Sequence, residues 1–323
     1  MGVRDLWIKD ESRLPTGSFK ARGLSMAVNM AASFGINRLA MPTAGNAGGA
    51  LAAYAARAGL ESFVFMPADT PLVNRFETVS LGARIFRVDG LITDCGKLVA
   101  AGRERTGWFD LSTLKEPYRI EGKKTMGLEL AEQLGWKLPD VVVYPTGGGT
   151  GLIGMWKAFS ELRELGWLDS TTMPRMVSVQ STGCCPVVRA FEAGERFCTF
   201  FEGAHTVAKG LRVPAAVGDF MILDALRESG GTAVAVEEER IPGLMRVAAS
   251  LTGISICPES ATCVGAVEEL TRSGWIDPDE CVVIFNCGAL QKYVDLHETD
   301  AALLRVGEEP DWAAIVNGVA ADD

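Results

Sequence analysis

The chain has 323 residues, 48% hydrophobic and 22% charged, enough to bury the core of one large domain or two moderate ones. A formal net charge of -10 argues against nucleic acid or an anionic membrane as partner and leaves small molecules. No apolar run nears the roughly 20 residues of a membrane span and no signal-peptide core follows Met1, so the cytoplasm is the expected compartment.

In chain order, a short strand is expected over Leu6–Asp10, with a start abrupt enough to suggest a segment missing upstream. A helix follows from Lys20, then strand Arg38–Pro42, helix Ala47–Ala58, strand Ser62–Met66, helix Leu72–Leu81 and strand Arg84–Val88. The pattern resumes with a helix over about Arg119–Leu134, strand Val141–Tyr144, a helix over about Leu152–Leu165, strand Met176–Val179 and helix Val187–Ala193. Strand Ala233–Val236, helices Ile241–Leu251 and Ala261–Arg272 and strand Cys281–Phe285 complete it. Alternation of this kind means parallel sheet covered by helices on both faces, here as two α/β lobes with a cleft between them. Residues 1–29 and 116–323 are expected to form a large discontinuous domain and residues 30–115 a small one, with a loose acidic tail from about residue 308.

The eight cysteines show no CxxC pair and no zinc-like Cys/His spacing, so no metal is expected and the thiols read as reduced. With His205 and His297 the only histidines, catalysis on a histidine base has little material, and lysine or cofactor chemistry gains weight.

Four stretches carry that chemistry. In Pro15-Thr16-Gly17-Ser18-Phe19-Lys20, a Pro/Gly loop delivers Lys20 to the first turn of a helix that Thr16 or Ser18 can cap. There the macrodipole opposes the ammonium and favours the nucleophilic amine, although on the stretch Pro15–Gly23 alone a solvated lysine on an amphipathic helix is the favoured reading. Strand Val141–Tyr144 runs into Gly147-Gly148-Gly149-Thr150-Gly151 and then a helix, an arrangement whose N–H groups and dipole suit a phosphate monoester. The loop has neither a Walker A lysine nor dinucleotide spacing. Thr43-Ala44-Gly45-Asn46 also lies between strand and helix, where Asn46 in isolation reads as an N-cap. Asn286-Cys287-Gly288 ends the last strong strand, and ligands of open α/β sheets gather beyond strand carboxyl ends.

Lys9-Asp10-Glu11, Pro15 to Lys20, Ala44-Gly45-Asn46, Gly147 to Gly151 and Asn286-Cys287-Gly288, in this order, resemble the signature of fold-type II pyridoxal-phosphate enzymes. With Pro117-Tyr118-Arg119-Ile120-Glu121-Gly122-Lys123-Lys124-Thr125 added, the chain is most similar to threonine synthases, from about residue 6 to 295. The resemblance implies a Schiff-base Lys20, Asn46 on the phenolic oxygen of pyridoxal phosphate, and Gly147, Gly148, Gly149, Thr150 and Gly151 on its phosphate. Cys287 would face the pyridine nitrogen, and Arg119, with Thr43, would bind an anionic amino-acid substrate. The implied reaction turns O-phosphohomoserine and water into L-threonine and phosphate, in a lyase of threonine biosynthesis whose assembly as a homodimer stays open. Cys287 stands where the family has Thr or Ser, and the glycine loop is closer to that of threonine dehydratase-like lyases. The family's N-terminal segment with its Thr-Pro-Leu stretch is absent. A threonine/serine ammonia-lyase and a truncated, non-catalytic pyridoxal-phosphate-binding homologue are therefore the competing readings.

Overall fold

A computed structural model of the chain describes residues 2–296, 305, 306, 309 and 312–317. The chain runs β1 (Asp5–Asp10), α1 (Lys20–Ser33), β2 (Arg38–Pro42), α2 (Asn46–Ala58), β3 (Glu61–Pro67), α3 (Leu72–Ser80), β4 (Arg84–Val88), α4 (Ile92–Thr106) and β5 (Phe109–Asp110). It continues α5 (Tyr118–Gln133), β6 (Val141–Pro145), α6 (Thr150–Glu164), β7 (Arg175–Ser181), α7 (Pro186–Glu192), α8 (Asp219–Glu228), β8 (Thr232–Val236), α9 (Ile241–Thr252), α10 (Pro258–Arg272) and β9 (Cys281–Asn286). Of the acidic tail expected from residue 308, the described part is residue 309 and the short helix α11 (Trp312–Asn317); the rest lies outside the described residues.

Two sheets form, β1-β9-β6-β7-β8 and β4-β3-β2-β5, and every paired strand is parallel. The expected α/β architecture with two parallel sheets flanked by helices is what the chain adopts. Its strands read as short apolar runs because a parallel strand in the middle of such a sheet is buried on both faces. Val142, Tyr144, Val283 and Phe285 face one core with Met126, Leu130, Met155 and Phe159 of α5 and α6. Their neighbours Val141, Val143, Val282 and Ile284 face a second core, against α9 and α10. The two-residue period of a strand thus serves both layers at once.

In the smaller sheet Leu39, Met41, Val64 and Met66 pack on α1 and α2, while Ala40 on the other face meets Val99 of α4 and Trp108. Helix α4, strand β5 and helix α8 are absent from the sequence-based expectation. Helix α4 buries only Cys95 and Val99, too few apolar positions for a clear 3.6-residue period. It closes on its sheet through Gly102, where an added Cβ would come 2.1 Å from the Trp108 ring.

The topology brings the chemistry-bearing stretches together. Strand β9 is inserted between β1 and β6, so chain direction across the sheet reverses between β9 and β6. Beyond the carboxyl end of each lies one of the singled-out loops, Cys287-Gly288 after β9 and Gly147–Gly149 after β6, in the crevice that such a switch point creates.

Candidate active site

A cleft of about 460 Å³ is lined by residues of both sheets' loops, including Lys20, Thr43, Asn46, Arg119, Gly147, Gly148, Gly149, Thr150, Gly151 and Cys287. All the residues singled out from the sequence therefore meet on one wall system. Cys287 is carried there by backbone pairing rather than by its own side chain. Phe19 N–H donates to the Cys287 carbonyl at 3.1 Å, Ala289 N–H to that of Gly17 at 2.8 Å, and Ser18 bridges Gly288. These bonds stitch the segment before α1 to the end of β9, so that Lys20 and Cys287 share the cleft.

Lys20 is the first residue of α1, but the expected cap is not made. Phe19 holds the N-cap position without a side-chain bond, Thr16 lies in a turn with φ 61°, and the Thr16 and Ser18 hydroxyls have no partner. The loop is instead held by its pairing to 287–289, while the Ala21 and Arg22 N–H groups that a cap would serve donate to the Ser18 and Phe19 carbonyls at 3.1 and 3.2 Å. The Lys20 amine sits deep in the protein yet opens on the cleft, its Nζ 3.8 Å from the Phe19 ring centre. Burial lowers its pKa to about 8; the nearby Cys287 and Glu259 oppose that and the Arg119 guanidinium adds to it. An amine tuned this way carries a neutral, nucleophilic fraction of roughly a tenth near pH 7, far more than an ordinary lysine, and can attack a carbonyl.

Asn46 is not an N-cap either. Gly45, at φ 147°, takes that position, and the Asn46 amide reaches sideways: its Oδ1 accepts from Asn74 at 2.8 Å and its Nδ2 donates to the Tyr293 hydroxyl at 3.2 Å. Thr43 Oγ1 accepts the Gly45 N–H at 3.0 Å and thereby shapes the turn that presents Asn46. Neither neighbour of Asn46 was recognisable in the sequence, because Asn74 and Tyr293 are distant in the chain and belong to no motif.

The glycine loop separates packing from function. An added Cβ would come 2.3 Å from the Gly210 carbonyl at Gly147, 2.2 Å from Ile222 Cδ1 at Gly149, and 2.1 Å from the Tyr144 hydroxyl at Gly151. Those three glycines are required by their neighbours, and Gly149 in addition by φ +74°. At Gly148 the nearest atom would be Thr113 Cγ2 at an ordinary 3.4 Å, so nothing in the fold forbids a side chain there. Among the described residues, no acceptor receives the N–H groups of Gly147, Gly148, Gly149 and Thr150, which run into the start of α6.

Arg119, in the first turn of α5, is 3% exposed. Its Nη1 donates to the Leu111 carbonyl at 2.9 Å and to Thr113 Oγ1 at 3.4 Å, while its Nε has no partner. The nearby Glu116 carboxylate accepts the Arg119 backbone N–H at 3.0 Å and makes no ion pair with the guanidinium. Burial lowers the Arg119 pKa, with Glu116 and Asp110 opposing. A buried guanidinium without a counter-ion is costly unless an anion arrives to pair with it.

Burial likewise pushes the Cys287 thiol up to about 12, so it stands as a neutral, weak hydrogen-bonding group. Two side chains of this wall escaped sequence reasoning altogether. The Tyr144 hydroxyl beside Cys287 and one oxygen of Glu259 are buried without a partner. Tyr144 lies inside a strand that reads as core, and Glu259 in a helix that reads as packing, so neither carries a sequence signal. All eight cysteines are free thiols, with Cys198 and Cys281 half-buried and the rest buried. No group of His, Cys, Asp and Glu among the described residues has a metal-binding arrangement, and no described helix is long and apolar enough to cross a membrane.

An α/β cleft at a switch point, with a lowered-pKa lysine and a glycine loop suited to an anion, has the attributes of a lysine-based cofactor enzyme. Over residues 1–288 the chain matches the family model described as pyridoxal-phosphate dependent enzyme, and it belongs to that family. Pyridoxal phosphate is accordingly its cofactor. Within the family it is similar to the threonine synthase of Methanosarcina acetivorans, 36% identical over 293 residues that cover 90% of this chain and 72% of that protein. The threonine synthase of Methanocaldococcus jannaschii is 32% identical over 311 residues, covering 96% and 75% respectively. Among solved structures, a T.th. threonine deaminase matches with a TM-score of 0.73 at 26% identity, covering 88% of this chain and 86% of that one. Maize serine racemase, at TM-score 0.75 and 22% identity over 88% and 82%, shares the fold.

The residues present fit the cofactor on their own geometry. Four unsatisfied N–H groups at a helix start suit its phosphate, and the open position at Gly148 leaves the approach clear. A lysine amine lowered to about 8 suits its carbonyl carbon.

Proposed function

We propose that this protein is a threonine synthase that converts O-phosphohomoserine and water to L-threonine and phosphate. The single observation that carries the substrate is Arg119, a buried guanidinium in the cleft wall with an unpartnered Nε and no ion pair among the described residues. A planar guanidinium recognises a phosphate through paired donors, and a substrate without that group would leave the charge uncompensated. The threonine synthases similar to this chain support the same choice.

In this reading Lys20 is the attachment point of pyridoxal phosphate, Gly147 to Gly151 hold its phosphate, Asn46 meets its phenolic oxygen and Cys287 faces its ring nitrogen. When bound, the cofactor supplies an electron sink for negative charge that develops on the substrate carbons. With the cofactor bound, the Lys20 amine, its pKa lowered to about 8, would be placed to take and return protons at those carbons. Cys287, held as an uncharged thiol, leaves the ring nitrogen largely unprotonated. Thr43 keeps Asn46 aimed into the cleft, and Thr43 and Arg119 meet the substrate. Residues 30–115 act as a small domain against a large one made of 1–29 and 116–323. A cytoplasmic setting and a homodimer complete the reading, the latter checked by the mass in solution.

One observation favours a second reading, ammonia-lyase action on threonine or serine: the likeness to a threonine deaminase at 26% identity. The two separate in one assay. With O-phosphohomoserine the protein is expected to release inorganic phosphate and threonine in equal amounts, and with threonine alone to form little keto acid. Keto acid from threonine without phosphate release from O-phosphohomoserine reverses the assignment.

A further inference from the structure

The Glu259 carboxylate is the one buried acid on the cleft wall that neither the sequence nor the reading above assigns. It lies in the first turn of α10, is 5% exposed and lines the cleft. Its position beside a helix N-terminus makes the charge tolerable there, and one oxygen has a structural task, since Oε1 accepts the Gly210 N–H at 2.8 Å. The other oxygen, Oε2, is buried with no partner. The Tyr293 hydroxyl, which accepts from Asn46 and keeps its own proton to donate, lies close enough to feel the carboxylate but makes no hydrogen bond of ordinary geometry with Oε2. Lys20 also feels Glu259 without forming an ion pair with it. An unpaired carboxylate oxygen out of water is as costly as an unpaired guanidinium, and both are present in this one chamber, Arg119 and Glu259 each acting on Lys20.

Two buried charges of opposite sign in one cleft, neither with an ion-pair partner among the described residues, suit a ligand that pairs with both, a molecule with an anionic end and a cationic end. Resting on the reading of the substrate as a phosphorylated amino acid, we propose that Glu259 is a substrate-binding residue whose free oxygen receives the ammonium group of the incoming amino acid while Arg119 receives its phosphate. Glu259 then selects for the amino group before any covalent exchange at Lys20, and a phosphorylated acid lacking the amine is rejected at binding.

The test is calorimetric titration of the full chain, loaded with pyridoxal phosphate and reduced with borohydride so that ligands bind without covalent exchange. The probes are 2-amino-5-phosphonopentanoate, its desamino counterpart 5-phosphonopentanoate, and 2-aminopentanoate without the phosphono group. Wild type is expected to prefer the amino phosphonate over the desamino one by about tenfold to hundredfold, the range of a hydrogen bond to a charged group. Glu259→Gln, which keeps an oxygen for Gly210, is expected to bring that ratio close to one, and Glu259→Asp to keep part of it. Arg119→Gln is expected to weaken both phosphonates and leave the ratio intact. A wild-type ratio near one, or a ratio that survives in Glu259→Gln, overturns the assignment of Glu259 and leaves the phosphorylated substrate standing. Equal binding of 2-aminopentanoate and the amino phosphonate overturns the phosphorylated substrate instead. A chain that takes up no cofactor, or binds none of the probes, overturns both.

Discussion

Arg22 and Arg119 lie on neighbouring helices, α1 and α5, and both have guanidiniums withdrawn from water, but their surroundings differ in kind. Arg22 is fully paired: Nε meets Glu11 at 2.5 Å, Nη2 meets Glu11 at 2.8 Å and Glu129 at 2.5 Å, and Nη1 meets Thr125 at 3.1 Å. Lys9 closes the network on Glu129 at 2.6 Å. Although burial works against its charge, the Glu11 and Glu129 carboxylates outweigh it and raise the Arg22 pKa, whereas Arg119, without such partners, is lowered. A buried charge that finds its partners inside the chain holds the structure together. One left without an ion-pair partner on a cleft wall is placed to meet a ligand.

The largest expected effect is at the amine that the cleft surrounds. Lys20→Ala should abolish covalent cofactor attachment. Wild type should show a visible absorption band that borohydride reduction converts to a stable protein adduct, and mass measurement of peptides should find the adduct on Lys20. A protein that stays colourless with added pyridoxal phosphate removes the basis of the site.

Next comes the contrast of the two arginines. Arg22→Met leaves the fully buried Glu11 carboxylate with only the Lys9 ammonium, at 3.5 Å, and removing one member of a buried pair costs up to about 3–5 kcal/mol; denaturant unfolding should register it as a lowered midpoint. Arg119→Ala strands no ion-paired carboxylate and should leave that midpoint nearly unchanged. It should instead lower kcat/KM on O-phosphohomoserine by roughly one to three orders of magnitude, the loss of a charge-assisted contact of about 2–4 kcal/mol. Swapped outcomes, with Arg119 governing stability and Arg22 governing turnover, would break the comparison.

A smaller effect follows from the lowered Lys20 pKa of about 8. Its neutral fraction rises from roughly a tenth at pH 7 to roughly nine-tenths at pH 9, so the rate of cofactor uptake by the cofactor-free protein should rise about tenfold over that interval. The linked stability has a definite sign. Between about 8 and the ordinary 10.5 the unfolded chain holds a proton that folded Lys20 has released, so this group's contribution to stability improves as pH rises through the window and is least favourable below it. Uptake that is flat from pH 7 to 9 would show an amine of unaltered basicity or a different attachment point.

The smallest change is expected at Cys287. Cys287→Ser exchanges one uncharged hydrogen-bonding group for another and should lower activity less than roughly tenfold, below about 1.4 kcal/mol. Cys287→Asp brings a carboxylate against the proposed ring nitrogen and should alter the distribution of products. Identical behaviour of both variants and Cys287→Ala would reduce Cys287 to packing.

Much of this architecture was written locally. The apolar runs Val141–Val143 and Val282–Phe285 announce strands buried on both faces, and the glycine run before α6 announces a tight approach to an anion, because each depends only on near neighbours in the chain. Helix α4 was not legible, since its fit depends on Gly102 meeting a tryptophan that stands beyond the helix end. Asn46 was read in isolation as a cap because a strand-to-helix junction favours one. Its actual direction depends on Asn74 and Tyr293, whose positions only the tertiary fold supplies.

What the sequence by itself determined was the residue chemistry and its order: a lysine at a helix start, a glycine loop after a strand, an arginine at the head of a helix. What only the tertiary structure decided was which charges find partners. Arg22 and Arg119 are the same residue in similar helical settings, and nothing near either in the chain predicts that Glu11 and Glu129 converge on the first and that no carboxylate pairs with the second. Charge compensation is set by distances across the fold, and those exist only once the sheets and helices have packed.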